Sequence, residues 1–232
     1  MSGKEIVIKL PRLGLLTPTM NSTLLKIMEE SGELARAVLT FTEHTDSKYT
    51  TPYTSLDLRI SVAEELLDVV QTCVTMIFVL EDTYNIDPGE MINIHLGKLK
   101  KKGYSYNPNI KYYVQSAGHY KYLNLPRLDI PQATLLKSVC KIQEEIGELT
   151  QILGKNVGKS GEKKIEYDTN KLLKDSALEL LDIAQCCFTM LYILEEKYNV
   201  DINKILSKHL EKLELKGYYS EVGSQKSEVG NR

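Results

Sequence analysis

Two short acidic motifs carry the chemistry legible in this 232-residue chain. Glu29, Glu30 and Glu33 stand at helical spacing, so their side chains leave one helix face about 5–6 Å apart at the Cβ atoms. Further on, Glu65 and Asp68 lie three apart inside a strongly apolar stretch, which marks a largely buried helix. At about 5 Å and an effective dielectric of about 20, each like-charged pair repels by roughly 3 kcal/mol before desolvation is counted. Such a cluster calls for a cation. Carboxylate oxygens with no Cys or His beside them suit a hard divalent ion, Mg²⁺ first and Mn²⁺ second, rather than zinc.

A single Glu-Glu pair at helical spacing is ordinarily a solvated face, but here the whole pattern is written twice. Leu10-Pro11-Arg12-Leu13 recurs as Leu125-Pro126-Arg127-Leu128, a displacement of 115 residues (125 − 10), which also carries Glu29-Glu30-Ser31-Gly32-Glu33 onto Glu144-Glu145-Ile146-Gly147-Glu148. From there the displacement is 114: Glu65-Leu66-Leu67-Asp68 falls on Glu179-Leu180-Leu181-Asp182, and Lys102-Gly103-Tyr104 on Lys216-Gly217-Tyr218. The slip falls in a loop. An internal repeat of this length sets the organisation of the chain: one unit over 1–104, a tyrosine-rich linker over 105–123, a second unit over 124–219 and a polar tail over 220–232, expected to be mobile.

The ordered pair of motifs, Glu-Glu-x-x-Glu and then Glu-x-x-Asp, resembles the MazG-like all-α nucleoside triphosphate pyrophosphohydrolases, and both copies carry it in full. The resemblance implies that magnesium is held by Glu30, Glu33, Glu65 and Asp68, and again by Glu145, Glu148, Glu179 and Asp182. It also implies a basic third helix, with Lys98 and Lys102, then Lys212 and Lys216, reaching the phosphates. Lys102 and Lys216 stand where arginine is common, so contact there is by a point charge rather than a two-pronged fork. The implied reaction cleaves between the α and β phosphates, giving a nucleoside monophosphate and pyrophosphate. Glu29 and Glu144, next to the ligands in both copies, are candidates to orient or deprotonate the attacking water; an ion pair with Lys26 or Lys141 is the competing role. A dUTPase-like or phosphoribosyl-ATP-pyrophosphohydrolase-like activity would use the same cage, and a non-catalytic nucleotide-binding or regulatory module would keep only the bundle.

These residues must be positioned by helices. Apolar residues at three-and-four spacing predict helices over Met20–Val38 and Leu135–Leu153, with polar loops over 40–55 and 154–169. Longer helices follow over Leu58–Tyr84 and Leu172–Tyr198, and Asp87-Pro88 opens a short third helix that Gly103 stops. The long helices are apolar on almost every side, so each needs cover all round. The expectation is therefore an all-α fold in which the two repeats pack as an intramolecular pseudo-dimer with a four-helix-bundle type core. Such a chain is expected to act alone or to pair once more as a homodimer. The linker tyrosines are expected on the bundle surface. Glu5–Leu10 has some extended character.

Other residues read as structural. Arg12 and Arg127 either reach the substrate or cap the bundle, with capping favoured, His95 and His209 pack among apolar neighbours, Asn85 and Asn199 form turns, and Glu81 and Glu195 lie solvated at the far end of the long helix. The four cysteines lack zinc spacing and read as reduced core thiols. With 29 Lys+Arg against 31 Asp+Glu there is no basic footprint for a nucleic acid polymer. Apolar runs such as Cys73–Leu80 are far shorter than the roughly 20 residues that cross a bilayer. The chain is expected to be cytoplasmic, with a nucleoside triphosphate as its partner and no membrane.

Overall fold

A computed structural model describes residues 5–46, 54–157 and 168–220; the expected tail beyond residue 220, residues 47–53 of the first expected loop and residues 158–167 of the second lie outside them. In chain order the elements are β1 (Ile8–Pro11), α1 (Met20–Asp46), α2 (Ser55–Tyr84), α3 (Pro88–Lys101), β2 (Tyr113–Ala117), β3 (Tyr120–Asn124), α4 (Leu135–Val157), α5 (Thr169–Tyr198) and α6 (Ile202–Leu215). The protein is predominantly helical, in line with the all-α expectation, with one small sheet added.

Local chemistry fixes the helix ends. Thr54 and Asp57 close the start of α2 as a reciprocal capping box. The side chain of Asp87 accepts from Gly89 N at 2.8 Å, with Pro88 in the first turn of α3, and Asp201 caps α6 through Lys204 N at 3.1 Å. Both 30-residue helices, α2 and α5, end on an asparagine in the left-handed conformation, Asn85 and Asn199, each at φ 55°. Asn tolerates that region better than other side chains bearing a Cβ, which accounts for the asparagines expected at these turns.

Helix α1 runs eight residues beyond Val38, through part of what the sequence presents as loop. The polar residues there do not leave the helix. Thr42 donates its hydroxyl to Val38 O at 2.8 Å, and Phe41 is buried with its ring edge-on to Tyr198 at 5.2 Å. The linker also departs from expectation, because it folds. β2 and β3 form an antiparallel hairpin turned at Gly118, whose φ of 58° a hairpin turn of this length requires. β1 adds to the free edge of β3, giving the order β1-β3-β2, and Ile8 pairs with Leu123 in that ladder. At the centre of the sheet Lys121 is fully buried, its ammonium 2.5 Å from Glu81 and 4.3 Å from the Phe78 ring. Burial pushes the Lys121 pKa down against the pull of that carboxylate. Glu81 is therefore a buried lysine's partner, where a solvated residue was expected.

Helices α1, α2, α5 and α4 pack in a closed cycle, each touching the next, so the bundle core holds residues from both halves. Phe78 and Leu191 lie in one continuous core. Enclosure explains why α5, the one described helix long and apolar enough to cross a membrane, has 83% of its apolar window buried inside the protein. The third helices cross over: α3 packs on α5, and α6 packs on α2. Cys73 and Cys187 are core thiols as expected, whereas Cys140 is exposed.

Candidate metal centre

The first acidic motif sits mid-way along α1, and the second on the facing stretch of α2. Oxygens of Glu30, Glu33 and Glu65 converge within 4.8 Å of one another. The second half repeats this with Glu145, Glu148 and Glu179. No Cys or His supplies a ligand atom to either group, so the donor set fits a hard, oxygen-seeking divalent ion. Glu30, Glu145 and Glu179 are buried, while Glu148 reaches the surface.

Asp68 and Asp182, the fourth expected ligand in each half, meet instead the side chains of the crossing helices. Lys212 of α6 places its ammonium 2.5 Å from Asp68 Oδ2, and His209 Nδ1 lies 3.5 Å from Asp68 Oδ1. In the other half Lys98 of α3 bonds to Asp182 and lies 3.7 Å from Glu179, with His95 Nδ1 3.0 Å from Asp182 Oδ1. The aspartate of each motif thus receives a lysine ammonium and an imidazole from the opposite half of the chain. The two sets of contacts are reciprocal.

On the exposed side, Lys26 bridges Glu29 at 3.1 Å and Glu30 at 2.5 Å, and Lys141 bridges Glu144 at 2.9 Å and Glu145 at 2.7 Å. Glu29 and Glu144 are more than half exposed and do not join the converging oxygens. They stand at the rim, in the ion pairs that the neighbouring lysines offer. Among the described residues Lys102 and Lys216 form no ion pair with the acids; they line cavities of about 280 and 420 Å³ that open beside Asp182 and Asp68.

Burial dominates the electrostatics. Desolvation raises the carboxyl pKa of Glu30 and of Glu65, with neighbouring acids adding to the effect. Glu179 is pushed up to about 7, chiefly by burial and further by Asp182 and Glu145, against the pull of Lys98. Burial also opposes ionisation of Asp182, but the bonds from His95 and Lys98 outweigh it and hold that carboxyl below its usual range. Burial drives the His209 imidazole down to about 4.

A raised carboxyl pKa means that Glu179 favours folding below the ordinary carboxylate range, a contribution lost as pH rises through about 7. Glu179→Gln, neutral at every pH, is therefore expected to melt higher than the metal-free wild type at pH 8 and at nearly the same temperature at pH 4.5. Thermal melts in EDTA at the two pH values check this; an equal offset at both would contradict it.

Sequence reasoning missed His95 and His209 as neighbours of the acids, and it passed over Gln71 and Gln185. The signal was present, since both pairs match at the 114-residue displacement (209 − 95 and 185 − 71). Arg12 and Arg127 instead pair with Asp82 and Glu196 at the far ends of α2 and α5, a structural role as read. Comparison with family models, with curated proteins and with solved structures returned no match.

Proposed function

We propose that this chain is a Mg²⁺-dependent nucleoside triphosphate pyrophosphohydrolase with two sites, cleaving the α–β anhydride to release pyrophosphate and a nucleoside monophosphate. The observation that carries the reading is the convergence of three carboxylates in each half, next to a lysine from the other half. Glu30, Glu33 and Glu65 with Asp68, and Glu145, Glu148 and Glu179 with Asp182, would hold the ion. Magnesium, when bound, neutralises triphosphate charge and lowers the pKa of a water. The chain's own part is to bind and orient. Lys98 and Lys212 exchange their carboxylate partners for phosphate oxygens, Lys102 and Lys216 contact the outer phosphates from the cavity wall, and Glu29 and Glu144 orient or deprotonate water from the rim. The order and spacing of the motifs, which resemble the MazG-like enzymes, support the same reading.

The architecture belongs to this proposal. Two repeats, 1–104 and 124–219, are related by a pseudo-two-fold axis, so that one chain does the work of a homodimer. Support comes from the reciprocal Lys98–Asp182 and Lys212–Asp68 pairs and from Ile8 facing Leu123, its equivalent at the 115-residue displacement (123 − 8), across an antiparallel ladder.

Release of pyrophosphate from a panel of ribo- and deoxyribonucleoside triphosphates, with Mg²⁺ and with EDTA, tests the activity. Turnover only with the metal is expected; no turnover on any nucleotide would defeat the reading. Metal binding has its own readout. At a Mg²⁺ concentration 100 times its Kd, mass action adds about 2.7 kcal/mol to stability for each site filled, about 5.4 kcal/mol for both. For a domain of this size one filled site corresponds to a rise in Tm of roughly 5–10 °C, and two to roughly twice that. A Tm indifferent to millimolar Mg²⁺ would indicate a solvated acidic face instead.

A further inference from the structure

The walls of the two cavities beside the acids hold a feature that metal and phosphate binding leave unexplained. Gln71 and Gln185 are buried at 4% and 3% exposure in the middle of α2 and α5, each among the residues lining its cavity. Their amides have one orientation only. Gln71 Nε2 donates to Pro11 O at 3.1 Å and to Thr75 Oγ1 at 3.3 Å, and Gln185 Nε2 donates to Pro126 O at 2.8 Å. A backbone carbonyl can only accept, so the nitrogen must face it and the carbonyl oxygen must face away. In both halves that Oε1 is buried with no hydrogen-bond partner. An orphaned buried acceptor costs free energy unless a ligand or water supplies a donor.

Four threonine hydroxyls among the lining residues of the same cavities have the same polarity. Thr23, Thr72 and Thr75 donate to Thr19 O, Asp68 O and Gln71 O at 2.7, 3.0 and 2.8 Å, and Thr189 donates to Gln185 O at 3.0 Å. With their protons committed to the helix, these oxygens offer lone pairs alone. Apolar side chains complete the cavity: Leu13 and Leu213 in one, Leu128 and Leu99 in the other. The volumes, about 420 and 280 Å³, suit a flat ring whose phosphates extend toward the acids and lysines.

From this geometry we infer that Gln71 and Gln185 select the base of the nucleotide, accepting a hydrogen bond from an exocyclic amino group, so that amino-bearing bases are preferred over their keto counterparts. A keto oxygen turned to this wall would set acceptor against acceptor. The inference rests on the nucleotide reading of the site, and it sets this chain apart from an enzyme devoted to uracil nucleotides.

Matched ligand pairs that differ only in this group test it on the unaltered protein. Hydrolysis of dCTP against dUTP and of dATP against dITP is measured with Mg²⁺, and binding of dCMP against dUMP is measured by calorimetry. The amino member is expected to lead by about tenfold or more in kcat/KM and in Kd. Gln71→Met with Gln185→Met should level both preferences by weakening the amino substrates toward their keto counterparts, while dUTP and dITP keep the kcat/KM they have with the unaltered protein to within a few fold; a dCTP preference that survives the double substitution overturns the assignment to these glutamines. Equal handling of each pair by the unaltered protein overturns the inference while leaving the hydrolase reading intact. Selective binding of dCMP without hydrolysis of any triphosphate supports base selection and overturns the hydrolase. Neither binding nor hydrolysis overturns both.

Discussion

Replacing Glu33 and Glu148 together by Gln is expected to lower Mg²⁺-dependent pyrophosphate release by about a hundredfold or more, with the helical content unchanged. Each substitution removes one ligand charge from a three-carboxylate group while keeping the shape of the side chain. The interaction lost is the electrostatic one that such a site relies on most. Either substitution alone leaves one site whole and should retain about half the activity. Undiminished turnover in the double variant would remove the metal assignment, and complete loss from one substitution would mean that a single site works or that the two are coupled.

The second large effect comes from the crossing of α3 and α6. Lys98 serves the carboxylates of the C-terminal half and Lys212 those of the N-terminal half. Lys98→Ala combined with Glu148→Gln therefore damages one site twice and should keep about half the activity. Lys98→Ala combined with Glu33→Gln damages both sites and should fall about as far as the Glu33→Gln, Glu148→Gln pair. Steady-state rates of the two combinations distinguish crossed from uncrossed sites. If Lys98→Ala with Glu33→Gln retains half the activity and Lys98→Ala with Glu148→Gln is dead, each lysine serves its own half and the crossed account fails.

The acids were readable in the sequence because like charges three and four apart, set in apolar surroundings and written twice, have few purely structural explanations. The helices that carry them were readable from apolar spacing, and α3 from Asp87-Pro88 and Gly103. What the sequence did not reveal was tertiary. The repeat makes Lys98 and Lys212 equivalent, and equivalence leaves open whether a third helix returns to its own half or crosses. Only the packing of α3 on α5 decides it. His95 reads as a core residue from its spacing, and it is fully buried; the misreading lay in its neighbour, since Asp182 is buried beside it.

The linker hid for a different reason. Five tyrosines with Pro108 and Gly118 look like a surface covering, and a two-stranded hairpin in isolation is marginally stable. Its partner is β1, more than a hundred residues away in sequence, whose four residues carry too weak a strand signal alone. Pairing supplies the third strand, and Ile8 and Leu123 are fully buried as a result. The end of α1 escaped because Thr40, Thr42 and Thr45 look like loop residues until their hydroxyls are seen bonded to the preceding turn.

The central claim is scission of the α–β anhydride, and the products decide it most directly. Phosphorus-31 NMR of the protein incubated with dCTP and Mg²⁺ is predicted to show a nucleoside monophosphate and pyrophosphate growing in equal amounts, with neither in EDTA. A nucleoside diphosphate with orthophosphate, or an unchanged triphosphate spectrum, would contradict the account.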